Sequence, residues 1–114
     1  MKKVSMDDME AAHPEGTVGV DFRPLISKNV NAPNFYLRIF DVSPEGHTPD
    51  HSHPWEHELF VVKGRGKIVL ASGKVSIEEG DALLVEPGEK HMFLNDSKGI
   101  LRLVCVVPKP ESER

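Results

Sequence analysis

Between Thr17 and Val107 the chain never sustains apolar residues at i, i+3, i+4 and i+7 over a helical length. It breaks instead into short β-rich runs: Thr17–Ile26, Asn34–Val42, His57–Val62, Lys67–Ala71, Lys74–Glu78, Ala82–Val85, His91–Leu94 and Leu101–Val107. Turn formers separate them, including Asn31-Ala32-Pro33, Ser43-Pro44-Glu45-Gly46, Gly64-Arg65-Gly66, Gly80-Asp81, Pro87-Gly88 and Asn95 to Gly99. That texture predicts an all-β sandwich or barrel with little helix. Ser72-Gly73, between two alternating runs, reads as a tight hairpin turn that needs Gly for a positive φ. The chain divides into an N-terminal extension over 1–16, a barrel over 17–107 and an exposed C-terminal tail over 108–114. In the extension, Ser5 with Asp8 suits a single capped helical turn ahead of Pro14. The tail alternates charge and carries two prolines.

A chain of 114 residues is one domain, long enough to bury an independent core. Its single cysteine forms no internal disulfide, so the fold does not depend on an oxidising compartment. The 14 basic against 18 acidic side chains give a net charge of −4, which argues against binding to a phosphate backbone. Met1-Lys2-Lys3 runs directly into Ser5, Asp7, Asp8 and Glu10, with no apolar stretch of the signal-peptide kind, so the cytoplasm is expected. The longest apolar run, Leu103 to Val107, is far short of the roughly 20 residues of a membrane span.

Alternation along a strand decides which side chains face inward. Arg102 is costly to bury, which sends Leu103, Cys105 and Val107 to the inner face of the last run and groups His57 with Leu59 and Val61 in another. Cys105 reads either as a small buried hydrophobe or as a cavity residue. Arg38, amid Phe35, Tyr36, Leu37, Ile39 and Phe40, is either solvent-facing and ion-paired or a cation inside a pocket.

Four of the six histidines fall between His47 and His57. His51 and His53, at i and i+2, project from one face of an extended chain about 7 Å apart, near enough to share a metal ion at roughly 2.1 Å each. His57 opens the next strand and can add a third vertex. His91 follows the turn Glu86 to Lys90, where a neighbouring antiparallel strand can return it to the same place. His47 and His13 read as incidental, and Trp55 as packing for the loop near a pocket mouth. No nucleophile elbow, phosphate loop or glycosidase-type carboxylate pair is present.

These residues resemble the two motifs of the cupin superfamily. His51-Ser52-His53, His57 after three residues and Gly64 after six more match the first. Gly80, Gly88, His91 and Asn95 match the second, and fifteen residues lie between Gly64 and Gly80, as in compact members. The departures are Gly46 one residue close to His51, Glu86 at the motif's proline, and His57 where a glutamate ligand is usual, with Glu58 as the less favoured substitute. The string from His51 to Glu58 is similar to a group of small microbial cupins with four-histidine sites.

The resemblance implies a double-stranded β-helix, or jelly roll, with a divalent ion on His51, His53, His57 and His91. Manganese is the metal it favours, although imidazole donors also accept Fe, Ni, Cu or Zn. Four neutral ligands supply no charge to the ion, so anionic ligands are drawn to its two open positions. The pocket candidates are Arg38, Leu59, Phe93, Leu103, Cys105 and Val107, with Leu37 as a further parity candidate. The implied function is a manganese-dependent oxygenase acting on a small apolar or phenolic molecule, for instance by cleaving a carbon–carbon double bond. The competing readings are a non-catalytic metal-containing cup that binds or senses a small molecule, and an enzyme of the oxalate decarboxylase or oxidase kind. The resemblance also implies a homodimer, paired through edge strands and an N-terminal strand.

Overall fold

A computed structural model describes residues 1–114. Its strands are β1 (Val18–Ile26), β2 (Phe35–His47), β3 (His57–Lys63), β4 (Arg65–Leu70), β5 (Gly73–Glu78), β6 (Ala82–Val85), β7 (His91–Leu94) and β8 (Leu101–Pro108). All pairings are antiparallel, in the order β5-β4-β7-β2-β8-β3-β6, with β1 joined to β2. The sheet curls on itself as a jelly roll. Helix is confined to three-residue 3-10 turns at Met6–Asp8, Lys28–Val30 and Glu111–Glu113. No helix is long and apolar enough to cross a membrane.

The longest strand departs from the sequence expectation. Ser43-Pro44-Glu45-Gly46 remains within β2 as a bulge rather than forming a turn between elements. Glu45 takes a φ of 67°, and the register against β1 slips between Val18 and Val20. Glycine suits position 46 because a Cβ there would come within 2.6 Å of the Val18 carbonyl oxygen. The bend lets one strand pair with β8 as far as Val42 and then with β7 at His47, linking the two halves of the curled sheet. The hairpin between β4 and β5 also closes one residue earlier than expected: Gly73 already pairs with Leu70, at a φ of 136°.

The N-terminal turn is closed by the Asp8 N–H donating to the Ser5 carbonyl at 3.1 Å, and the Ser5 side chain makes no capping bond. The extension lies against β1, with Ala12 bridged to Phe22 and Arg23 Nε donating to the Met9 carbonyl at 2.9 Å. The tail is tied back as well: Tyr36 donates its hydroxyl proton to Glu113 Oε1 at 2.6 Å.

Inward parity follows the alternation. Leu101, Leu103, Cys105 and Val107 of β8, with His57, Leu59 and Val61 of β3, are all 5% exposed or less. Burying each large apolar side chain of this kind contributes about 1.5–3 kcal/mol. Asn95 is the polar exception, fully buried at the end of β7. Its Nδ2 donates to the carbonyls of Val42 and Gly99, both at 2.8 Å, while its Oδ1 accepts from the Ser97 N–H and hydroxyl. Replacing Asn95 with Ala strands these groups, and an unmet buried hydrogen-bonding group costs about 1–3 kcal/mol. Urea unfolding of Asn95→Ala is expected to show a loss of about 2–4 kcal/mol. Asp96→Ala, which breaks the half-exposed pair with Lys67, should cost under about 1 kcal/mol. Equal midpoints for the two variants would remove Asn95 from this role.

Candidate metal centre

The loop between β2 and β3 runs extended beside β7, held by reciprocal main-chain bonds. The His51 N–H donates to the His91 carbonyl at 3.1 Å and the His91 N–H to the His51 carbonyl at 2.9 Å. Extended backbone puts His51 and His53 on one face, and their ring centroids are 4.2 Å apart. Ligand nitrogens of His51, His53 and His91 all lie within 4.8 Å of one another. His57, at the start of β3, is outside that trio but borders it: its ring stacks on His53 at 4.8 Å and stands edge-on to His91 at 5.1 Å.

Hydrogen bonding turns the rings. His91 Nδ1 is 2.9 Å from the Glu89 carbonyl, an acceptor, so Nδ1 is the donor there and Nε2 is the nitrogen left for a metal. His57 Nδ1 faces the Cys105 sulfur at 3.9 Å, and its Nε2 is buried with no partner. Desolvation lowers the His53 imidazole to about 4, helped by His51 and His91. It lowers His57 to about 3, with Arg38 the next contributor, and also lowers His51. At neutral pH these rings are uncharged and offer lone pairs, the state a metal requires. Burial pushes the Cys105 thiol up, against the opposing effect of Arg38. Neutral, converging nitrogens with one orphaned among them fit a divalent ion. Glu58 is exposed on the other face of β3 and takes no part.

The trio opens into a cavity of about 240 Å³. Arg38, Leu59, Phe93 and Cys105 are on its wall, with all four histidines. Leu103 and Val107 are not: they face inward from β8 but pack in the core, on either side of Cys105. Cross-strand register sets the contrast: Cys105 lies between Arg38 and Leu59, both on the wall, whereas Leu103 has one wall residue, Phe40, on one side and the core residue Val61 on the other, and Val107 lies opposite Tyr36. Leu37 is also off the wall, since Arg38 takes the inward parity of β2 together with Tyr36, Phe40 and Val42.

The sequence reading missed Phe22, Phe40, Pro14, Thr17, Thr48 and Pro49, all of which line the cavity. Phe40 shares the parity of Arg38 and was legible once that residue faced inward. Phe22 arrives only through its pairing with Phe40 across β1 and β2. Trp55 lines the cavity and stacks on His53 at 4.8 Å and 4°. His47 bonds to the Thr48 carbonyl and His13 is exposed, both away from the cavity wall.

Known proteins resemble this chain in sequence and in fold. The polyketide cyclase RemF of Streptomyces resistomycificus is 33% identical, with a TM-score of 0.89 over 96% of this chain and 80% of its own. The tetracenomycin polyketide synthase protein TcmJ of Streptomyces glaucescens is 23% identical, covering 96% of this chain and 75% of its own length. A predicted oxalate decarboxylase of Thermotoga maritima shares the fold, at a TM-score of 0.82 and 19% identity over 96% of this chain and all of its own. The cupin domain model matches residues 38–107, which span β2 to β8 and carry every candidate ligand. The chain therefore belongs to the cupin domain family.

Proposed function

We propose that this cupin holds a divalent metal ion on His51, His53, His57 and His91 and acts on an enolisable or phenolic molecule, closing a ring in a polyketide-like chain. The observation that carries the reading is the histidine cluster set in a largely apolar cavity. The 33% identity to a polyketide cyclase supports the choice of reaction. Manganese is the proposed ion, with Fe, Ni, Cu and Zn as metals the same donors accept. When bound, the ion supplies a Lewis acid for a carbonyl or enolate oxygen.

The chain's own residues do the rest. Glu89 and Cys105 set the ring orientations of His91 and His57. Phe22, Phe40, Leu59 and Phe93 give apolar walls against which a flexible chain folds back on itself, bringing its reacting carbons together. The cavity is smaller than the roughly 300 Å³ at which drug-sized pockets begin, so it suits one or two rings rather than a whole polycyclic product. No carboxylate lines it, so with the four histidines committed to the ion and Arg38 a permanent cation, Cys105 is the one titratable side chain left on the wall.

Oxidative cleavage of a phenolic alkene by a manganese-dependent oxygenase is the second reading. The same absence of a carboxylate base favours it, because dioxygen chemistry at a metal needs no general base from the wall. A homodimer is also proposed. Phe60, Val62 and Leu84 are 47%, 41% and 57% exposed on the outer face of β3 and β6, next to Val104 and Val106 of β8. Two copies of one apolar face set about a two-fold axis cover each other.

Protein purified without added metal or histidine tag is expected to carry about one divalent ion per chain by elemental analysis. His57→Ala should lose most of it and Glu58→Ala should keep it; the reverse pattern would refute the ligand set. The loaded protein, given a short poly-β-ketone, should release product lighter by water with no oxygen uptake. Oxygen uptake with a phenolic alkene supports the oxygenase instead, and binding without either product leaves a non-catalytic cup. Sedimentation should show a dimer that Phe60→Glu converts to a folded monomer, and a monomeric wild type would end the pairing proposal.

A further inference from the structure

Arg38 is the one cation on the cavity wall, and no ion pair in the protein involves it. Its guanidinium lies over two aromatic rings, 5.6 Å from the Phe22 centroid and 5.4 Å from that of Phe40. One terminal nitrogen donates to the Cys105 sulfur at 3.2 Å, a weak acceptor. Its Nε is buried with no partner at all. A guanidinium offers five N–H donors in a planar fork shaped for a carboxylate or similar oxyanion. Here the fork is clasped by apolar rings, facing a cavity without a single acidic side chain.

An unpaired charge in such a place is unfavourable until an anion meets it. Surface arginines offset this with water or a neighbouring carboxylate, as Arg102 does with Asp41 at 2.7 Å. Arg38 has the thiol and the faces of two rings. Phe22 and Phe40 also restrict where the guanidinium can turn, so an incoming group meets a positioned donor rather than a mobile one.

From this we infer that Arg38 forms an anion subsite, and that the molecule taken into the cavity carries an anionic oxygen group, such as a carboxylate or an ionised enol, on an aromatic or apolar body. The body packs against Phe22, Phe40 and Phe93, and the anionic group reaches the Arg38 fork while another part of the molecule faces the histidine cluster. The inference rests on the cavity being the substrate site but on neither the reaction nor the metal. It deepens the proposed function by assigning the substrate two separate polar anchors.

Calorimetric titration with 2-naphthoate and its neutral counterpart 2-naphthamide tests it, on metal-loaded and on metal-free protein. The wild type is expected to bind the acid roughly 10- to 100-fold more tightly than the amide, as a charge-assisted hydrogen bond provides. The preference should survive metal removal. It should fall to near unity in Arg38→Met and Arg38→Gln, with amide binding retained, and be partly kept in Arg38→Lys. Retained amide binding shows that the cavity of each variant is intact. Equal binding of the two probes to the wild type, or a preference that persists in Arg38→Met, would overturn the subsite. A preference seen only with metal present would place the carboxylate on the ion and would overturn it too. Failure of ring closure with the acid preference intact would count against the proposed reaction and leave the subsite standing.

Discussion

The main-chain bonds exchanged by His51 and His91 join the two stretches of sequence that supply the histidines. They belong to a longer ladder. Glu45 donates to the Asn95 carbonyl at 2.8 Å, Asn95 to Gly46 at 3.0 Å, Thr48 to Phe93 at 3.0 Å, and Gly88 to His53 at 2.6 Å. Thr48 Oγ1 fills one more position by accepting the Phe93 N–H at 2.8 Å. A loop with two prolines and no regular strand is thereby tied to β7 almost as a strand is, which fixes the backbone from which its imidazoles project. Preorganisation of this kind lets a cluster of neutral donors face one point without the entropy of gathering flexible side chains.

Burial of the histidines works in the same direction. Desolvation keeps the His51, His53 and His57 rings uncharged, and neutral rings neither repel one another nor hold protons against a cation. The orphaned Nε2 of His57 is unfavourable by about 1–3 kcal/mol as long as nothing meets it. Its other nitrogen is aimed at Cys105, so the ring is not free to turn and find a carbonyl. Apolar walls that would destabilise a charged or poorly oriented imidazole instead select the state able to ligate.

Much of this was legible in the sequence because strands and motifs obey short-range rules. Ala82–Val85 and His91–Leu94 have the bounds read from alternation, and the inward sets of β3 and β8 follow from parity once Arg102 is sent outward. What was not legible depends on register. Whether Cys105 or Leu103 reaches the cavity is set by which residues of β2 and β3 lie opposite, and no local pattern encodes that. Ser43 to Gly46 misled for a related reason: Pro and Gly mark a break in regular pairing, and a bulge within one strand uses the same residues as a turn between two. Pro14 and Thr17 reach the cavity through the docking of the N-terminal segment on β1, a long-range contact without a signature in their own neighbourhood.

The distribution of charge separates the cavity from the rest of the molecule. The chain carries a net charge of −4, yet the cavity wall holds one guanidinium and no carboxylate. A divalent ion at the cluster would add two positive charges beside Arg38 without any compensating acid on the wall. In a medium that screens poorly, such a concentration of positive charge is tolerable only while electron-rich oxygen enters to meet it. A neutral hydrocarbon gains nothing from that field, whereas a molecule with ionised or readily ionised oxygens gains at both the ion and Arg38. Ionisation next to a carbonyl is also the step that makes carbon nucleophilic, so under the proposed function the field that would favour binding of such a molecule would also favour the state in which it reacts.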